Sequence, residues 1–276
     1  MTSGTATATR ELAAFLRTRR ERLDPLDFGL PPRRGSRRTP GLRREEVADL
    51  AGVSTDYIVR LEQGRGLRPS PEVLEALARA LRLAPAERGY LFDLAQQRPP
   101  HIEKSATTAA PDLARLVDDL SPLPVMLINH RYDILAWNPE MSRLMLDLDA
   151  LPESQRNCMW LCMLHPQRRD FYVDRERIVR EGIADLRAAW AAHPDDTALA
   201  DLITEFRTGD EEFARLWAMR DVRVTGRGVK AMCHPEVGRV AVRFEVLIPA
   251  QDPEQRLVIY RAADDDSQAA LDRLCV

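Results

Sequence analysis

Residues 42–65 read LRREEVADLAGVSTDYIVRLEQGR, and the spacing within this stretch decides the fold of the first part of the chain. Two helices that cross steeply over a short turn need a small residue where they touch and a glycine that accepts positive φ at the turn. Ala48 and Gly52 supply these residues, and Ser54 is placed to cap the second helix. The apolar residues that pin both helices are Val47, Val53, Ile58 and Leu61. The stretch therefore predicts a helix-turn-helix, although an ordinary helical hairpin of a bundle shares part of this pattern.

Charge is distributed unevenly along the chain. Residues 1–100 contain 18 arginines, no lysine and 13 acidic residues, a net charge of +5, whereas the remainder carries 22 basic and 30 acidic residues, a net charge of −8. Six of the arginines fall between Arg33 and Arg44, with no acidic residue among them. Such a cluster predicts a polyanionic partner for the N-terminal part. A solvated arginine-rich loop is the alternative for residues 33–38.

Helices account for most of the first hundred residues. Apolar periodicity predicts a first helix over 9–24, followed by a loop rich in Pro, Gly and Arg. Ser70 before Pro71 is an N-cap signal for another helix. The other predicted helices cover about 42–51, 54–63, 71–82 and 86–97. We therefore expect an all-α five-helix domain over residues 1–98 and a linker over 99–111, where periodicity is lost.

The remainder, residues 112–276, mixes strands with helices. VMLIN and DILAWN are short apolar runs joined by HRY, and they predict a hairpin. Residues 139–149 and 166–219 are predicted to be mainly helical, with breaks near Pro194 and Gly209. Further strands are predicted in VRVTG, VKAMC, RVAVRFEVLI and RLVIYRA, and a final short helix in SQAALDRLC. This order predicts an α+β domain with an antiparallel sheet and a helical layer on one face.

The helix-turn-helix stretch resembles that of the lambda-repressor (XRE) family. The longer run TPGLRREEVADLAGVSTDYIVRLEQGR, and downstream ILAWNP, RNCMWLCMLHPQRRDFY, FARLWAMRDV and HPEVGRVAVRFEVL, are similar to MmyB-like regulators over nearly the whole chain. The resemblance implies a five-helix lambda-repressor-like domain followed by a PAS-like domain that senses a small molecule. It further implies a sequence-specific regulator of transcription, with an apolar, acyl-like compound such as a fatty acid as the expected ligand and no other cofactor.

The resemblance also assigns contacts with double-stranded DNA. Four residues are expected on the exposed face of the recognition helix, where side chains reach base edges: Thr55, Asp56, Tyr57 and Arg60. Ser54 begins that helix, and Asp56 has the alternative role of stabilising the helix N-terminus. The residues expected to contact phosphate or the minor groove are Arg43, Arg44, Arg65 and Arg68, together with Arg33, Arg34, Arg37 and Arg38 of the long loop.

A ligand site is expected between the sheet and the helices of the second domain. The large apolar residues predicted to line it are Met126, Ile128, Trp137, Met145, Trp160, Phe206, Trp217 and Phe244. Asn138 and His234 are the polar candidates, and a structural hydrogen bond is the preferred alternative for His234 at its strand end. We expect a cavity of about 300–1,000 Å³ for such a sensor. The alternative is a filled core, with the domain serving only for dimerisation or for binding a protein partner.

Cys158, Cys162 and His165 have a spacing that invites a metal assignment, but their neighbours are Met, Trp and Leu, so buried hydrophobic cysteines are the preferred interpretation. No metal site is therefore predicted.

Catalysis is not expected. A Ser/Lys peptidase of the kind carried by some repressors needs a serine and a lysine at a suitable spacing, and neither Lys104 nor Lys230 has a serine at that spacing.

The chain lacks a signal peptide, a membrane span and a disulfide framework, which predicts a cytoplasmic protein. Because one recognition helix reads only a few base pairs, we expect a homodimer on its operator. A helix-turn-helix that binds only protein, as in some antitoxins, is a further alternative.

Overall fold

The regular secondary structure among the described residues of the N-terminal part is helical. The computed structural model describes residues 3–30, 41–65, 68–95, 106–166 and 170–275, with the side chains of the first helix described from residue 7. The helices are α1 (Ser3–Arg22), α2 (Arg44–Ala51), α3 (Thr55–Glu62), α4 (Pro71–Ala80) and α5 (Pro85–Leu94), with a single 3₁₀ turn at Pro25–Phe28. The five predicted helices are thus confirmed, each with somewhat different ends.

The turn between α2 and α3 forms as the sequence spacing predicts. Gly52 has a φ of 66° and its N–H bonds to the Ala48 carbonyl, which ends α2. Ser54 accepts a hydrogen bond from the Tyr57 N–H at 3.1 Å and so caps α3. Ile58 is buried in the core of this domain. The same core contains Leu12, Phe15, Leu42, Val47, Ala48, Leu61, Leu74, Leu77 and Leu91.

The second part combines a sheet with seven helices among its described residues. The helices are α6 (Pro111–Asp119), α7 (Pro139–Met145), α8 (Cys158–Met163), α9 (Arg175–Ala192), α10 (Thr197–Gly209), α11 (Glu211–Ala218) and α12 (Asp265–Cys275). The strands are β1 (Val125–Asn129), β2 (Ile134–Trp137), β3 (Arg227–His234), β4 (Gly238–Leu247) and β5 (Gln255–Ala262). Within the described part of the chain, no helix is both long and apolar enough to cross a membrane.

The five strands form one antiparallel sheet in the order β2-β1-β5-β4-β3. All five residues of β1 are buried because both faces of the sheet are covered at this strand. Val125 and Leu127 face one small core with Val117 of α6, while Met126 and Ile128 face the large core formed with the other helices. The prediction of an α+β domain with an antiparallel sheet is confirmed.

Two local predictions were wrong, and two helices were not predicted. VRVTG at 222–226 is not a strand: Val222 packs into the core of the helix-turn-helix domain, and Val224 is exposed. The apolar run that begins at Cys158 forms the unpredicted helix α8, capped by the Asn157 side chain. A further unpredicted helix, α6, covers the second face of the sheet, so the helices are not confined to one face.

Candidate DNA interface and ligand cavity

The recognition helix α3 presents a polar face to solvent. Thr55, Asp56 and Arg60 are exposed, whereas Ile58 on the opposite face is buried. Tyr57 is half-buried against the domain core, and this burial raises the pKa of its phenol, so the hydroxyl stays protonated and can donate. The arrangement matches what base-edge contacts in a major groove require.

An ion cluster buried under the motif ties three helices together. Glu62, which is 3% exposed, accepts hydrogen bonds from Arg20 Nε at 2.6 Å and from Arg44 Nε at 2.7 Å. Arg20 also donates to the Leu42 carbonyl at 2.9 Å. The cluster fixes α1 and the start of α2 against the end of α3. Arg44 is thus oriented by Glu62 while 43% of its side chain remains exposed.

The other predicted DNA contacts lie around this face. Arg43 precedes α2, where its backbone N–H donates to Glu46 at 2.6 Å and its guanidinium pairs with Glu45 at 3.2 Å. Arg65 and Arg68 are both exposed beyond the end of α3. The loop arginines of the prediction fall outside the described residues: Arg33, Arg34, Arg37 and Arg38.

A cavity of about 170 Å³ lies between the sheet and helices α8 and α9. Its apolar lining includes Met126, Ile128, Met145, Met159, Ile178, Phe244, Val246 and Val258. Val224 and Ile248, each 59% exposed, also line it and mark its mouth. The cavity is smaller than the sequence-based expectation, and three methionines, Met126, Met145 and Met159, form part of its wall.

One lysine side chain enters this apolar space. Lys230 Nζ lies 3.2 Å from the Tyr260 hydroxyl and 4.8 Å from the centre of the Phe244 ring. Burial alone would lower the pKa of Lys230, but Tyr260 and the nearby Cys158 and Cys162 raise it, and the net direction is upward. Among the described residues, no carboxylate pairs with this ammonium group, so its principal partners are a hydroxyl and aromatic rings.

A second polar group closes the cavity on the side of α9. Asp185 accepts hydrogen bonds from the Tyr132 hydroxyl at 2.9 Å and from Arg256 at 2.8 Å. Tyr132 has a φ of 71°, which is unusual for a bulky residue and identifies a constrained turn beside the cavity. Arg256 is therefore already paired, unlike Lys230.

The residues predicted to line a ligand site divide into two groups. Met126, Ile128, Met145 and Phe244 lie on the cavity wall. The others lie elsewhere: Trp137, Asn138, Trp160, Phe206, Trp217 and His234 are not part of its lining.

The two polar candidates, Asn138 and His234, lie outside the cavity lining and form hydrogen bonds within the fold. Asn138 caps α7 and accepts a hydrogen bond from the Val125 N–H at 3.0 Å, so its amide joins helix to strand. The ring of His234 bonds to the Arg143 carbonyl at 2.9 Å. Hydrophobicity predicted that the aromatic residues would be buried or half-buried, but it did not distinguish the cavity wall from ordinary packing.

Lys230 lines the cavity but was not among the predicted ligand-site residues, although the sequence pattern of β3 could have indicated it. Side chains of a strand alternate between its faces, and Met232 and His234 of β3 are buried. Lys230 shares their face, which places a charged residue among inward positions. No comparable signal marked Tyr132 or Asp185, which are distant in sequence.

The Cys158, Cys162 and His165 set does not assemble as a metal site. Both cysteines line the cavity, and burial raises the pKa of the Cys158 thiol to about 12 and also raises that of Cys162. Metal binding requires the thiolate. His165 instead packs edge-on against Trp160, with ring centres 5.7 Å apart.

Helix α9 joins the cavity to the helix-turn-helix domain. Its residues Gly182 and Asp185 line the cavity, while Ala191 belongs to the core of the N-terminal domain. Arg187, which is 1% exposed, reaches across the interface to Glu11 of α1 at 2.6 Å and to the Tyr90 hydroxyl of α5 at 3.3 Å. A single helix therefore contacts both the cavity and the helix-turn-helix domain.

The comparisons with known proteins match these two parts. Residues 109–274 match the family model of the MmyB-like transcription regulator ligand binding domain, and residues 11–91 match that of a helix-turn-helix domain. A search of curated proteins gave no significant match. Since the first model covers more than half of the chain, the protein belongs to the MmyB-like transcription regulators and is a DNA-binding regulator with a C-terminal ligand-binding domain.

Proposed function

We propose that this regulator binds a two-fold-symmetric operator as a homodimer, and that an apolar carboxylate in the cavity changes its affinity for DNA. The single observation that carries the proposal is Lys230, a buried ammonium group without a carboxylate partner among the described residues, in a cavity lined mainly by apolar side chains.

The size of the cavity limits the ligand. A dry apolar cavity of about 150 Å³ is large enough for benzene, and the space here is about 170 Å³. A short acyl chain of roughly this volume fits inside. A longer chain must either displace methionine side chains, which rearrange easily, or extend out of the cavity between Val224 and Ile248.

The charge in the cavity selects the head group. An ammonium group removed from water is costly unless a charged or hydrogen-bonding partner replaces its hydration. A ligand carboxylate beside Lys230 supplies that partner, whereas the corresponding alcohol supplies only a neutral acceptor. Charge-assisted hydrogen bonds are shorter and stronger than neutral ones, so the acid should bind more tightly than the alcohol.

Helix α9 provides the route from ligand to DNA. A ligand that contacts Gly182 or Asp185 acts on the same helix that holds the helix-turn-helix domain through Arg187 and Ala191. Ligand binding changes operator affinity only to the extent that the ligand prefers one placement of this helix.

The dimer follows from the small number of base pairs that one α3 can read. Two recognition helices should contact half-sites about 34–36 Å apart, or a multiple of this distance. Footprinting on DNA selected from a random library, combined with the mass of the complex, tests this part. A single half-site occupied by one chain would contradict it.

The ligand proposal is tested by comparing octanoate with octanol on protein stripped of lipid. Octanoate should raise the melting temperature and change the affinity for the selected DNA, and octanol should do so more weakly. The variant Lys230→Met should remove the preference for the acid. Arg227→Met is the matched control, since it removes an exposed cation from the same strand. Equal binding of acid and alcohol by the wild type would refute the role of Lys230, and binding of neither would favour a dimerisation or partner-docking domain.

A further inference from the structure

Two histidines and two acids lie together at the end of α9, away from the cavity lining. His130 lies in the turn between β1 and β2, His193 directly follows α9, and Glu254 directly precedes β5. Asp196 caps α10. The side chains of His130, Glu254 and Asp196 are each less than a tenth exposed, and that of His193 is 12% exposed.

The distances place three ligand atoms around one point. The Nδ1 atom of His130 lies 3.1 Å from Glu254 Oε2, and the Nδ1 atom of His193 lies 3.8 Å from the same oxygen. One ligand atom from each of the three residues falls within 4.8 Å of the others. Ligand atoms bound tetrahedrally to one metal at ~2.0–2.2 Å lie about 3.3–3.6 Å apart, so the ligands must close in by roughly 1 Å when the ion binds.

The opposite edge of His130 is held by a carboxylate. Its Nε2 atom lies 2.8 Å from Asp196, whose other oxygen is 3.3 Å from Arg131. A histidine that ligates a metal usually donates its other ring N–H to a carboxylate, which fixes the tautomer and orients the ring. With the Nε2 proton donated to Asp196, the Nδ1 lone pair faces Glu254. In this tautomer, a cation bound between Nδ1 and Glu254 Oε2, which are 3.1 Å apart, would stabilise both atoms.

We propose that His130, His193 and Glu254 bind one divalent transition-metal ion of the Zn²⁺ type, with Asp196 as a positioning residue. Two imidazoles and one carboxylate are ligands that Zn²⁺ accepts, while Ca²⁺ and Mg²⁺ prefer oxygen alone.

One rearrangement accompanies binding. The rings of His130 and His193 are stacked, with centres 3.8 Å apart and planes within 8° of parallel, so their lone pairs do not converge. His193 must turn toward Glu254. It is the most exposed of the three ligands and follows the last residue of α9, so the turn is sterically the simplest one available.

The position of the site suggests a consequence beyond metal storage. Ala191, two residues before His193, is packed in the core of the helix-turn-helix domain. A metal that joins His193 to the β1–β2 turn fixes the end of α9 beside this contact. The site therefore adds a second effector position to the regulator, separate from the cavity.

The experiment is a Zn²⁺ titration of the full-length chain after treatment with a chelator, read by competition with a chromophoric chelator. We expect one Zn²⁺ per chain at micromolar affinity or tighter. Glu254→Gln and His193→Gln should each weaken binding more than Asp196→Asn, for which ~10–100-fold is expected from an outer-shell partner. Asparagine caps a helix as well as aspartate does, so Asp196→Asn keeps the cap of α10 while it weakens the contacts with His130 and Arg131.

Controls separate this site from the cysteines. His165→Gln and Cys162→Ser should leave Zn²⁺ affinity unchanged, and Co²⁺ should bind without a near-ultraviolet thiolate-to-cobalt band. Circular dichroism confirms that each variant is folded. Failure to bind Zn²⁺ at micromolar concentration, or loss of binding in Cys162→Ser but not in Glu254→Gln, would overturn the proposal. Because the ion is measured directly, neither outcome depends on the operator or on octanoate.

Discussion

Replacing Arg187 by methionine should weaken the connection between the ligand-binding domain and the helix-turn-helix domain. This buried guanidinium donates to Glu11, to the Tyr90 hydroxyl and to the Trp217 carbonyl, and it stacks on the Trp217 ring with a separation of 3.9 Å. Methionine retains part of the apolar stem but none of these donors. The interface then contains a partly buried acid whose strongest partner is gone.

The expected loss of stability follows from the burial of the Arg187–Glu11 ion pair. Breaking a buried ion pair by removing one partner typically costs ~3–5 kcal/mol. Glu11 keeps Arg220 at 3.2 Å, so the lower end, about 3 kcal/mol, is expected for Arg187→Met. For a chain of this size that corresponds to a melting temperature lower by roughly 6–12 °C.

The assay has two readouts. Thermal unfolding measures the loss of stability, and DNA-binding titrations with and without octanoate measure the coupling. In the wild type, octanoate should change operator affinity by about 5–150-fold, the usual range of allosteric coupling, and in Arg187→Met the change should fall to about twofold or less. Arg180→Met is the matched control, because Arg180 lies on the same helix, is half exposed and makes two long contacts, a 3.6 Å ion pair with Asp221 and a 3.9 Å contact with the Met219 sulfur. Arg180→Met should change the free energy of unfolding by no more than about 1 kcal/mol.

A double variant distinguishes the loss of the Arg187–Glu11 ion pair from a loss of packing at the interface. If an uncompensated Glu11 causes the loss, then Glu11→Met combined with Arg187→Met should recover part of the stability, since apolar replacement of both partners is often neutral or stabilising. Full coupling in Arg187→Met, or equal losses in Arg187→Met and Arg180→Met, would refute the assignment of Arg187 as the connection between the domains.

Other predictions concern the DNA-binding domain and the thiols. Arg60→Ala should cost ~1–3 kcal/mol on the operator and little on random DNA, whereas Arg44→Ala should weaken both and reduce the salt slope by about one, as anisotropy titrations at several salt concentrations would show. Gly41→Ala should lower the free energy of unfolding in urea more than Gly52→Ala. Both glycines have positive φ, but an added Cβ at Gly41 would lie 2.2 Å from a carbonyl oxygen of α1, while at Gly52 nothing lies within 4 Å. Because burial raises the pKa of Cys158 to about 12, alkylation of this thiol at pH ~8 should be far slower in the folded chain than in urea.

Local signals made the helix-turn-helix predictable. Gly52, Ser54 and the apolar residues around them specify the turn within a few positions, so no distant contact was needed to place it. The β1–β2 hairpin and the final strands were predictable for the same reason. The run at 158–164 was not, because a short apolar segment has no periodicity that separates a helix from a strand.

The sites outside the motif depend on contacts between distant residues. His130, His193 and Glu254 meet only because the sheet brings the β1–β2 turn beside the start of β5 and the end of α9. Similarly, burial of an aromatic residue is predictable from its type, but the direction it faces is not. Phe206 fills the core against Phe213, while Phe244 reaches the cavity wall.

The arrangement of α9 bears on how the two proposed effectors would act together on operator affinity. The cavity contacts the middle of this helix through Gly182 and Asp185, and the proposed metal site holds its C-terminal end at His193. Arg187 and Ala191, which connect to the helix-turn-helix domain, lie between these two points. Any shift of α9 caused by a ligand must therefore be accommodated at both ends. A metal that fixes the C-terminal end should change how much of the ligand's binding energy reaches the DNA-binding domain, so the effects of octanoate and Zn²⁺ on operator affinity should not add independently.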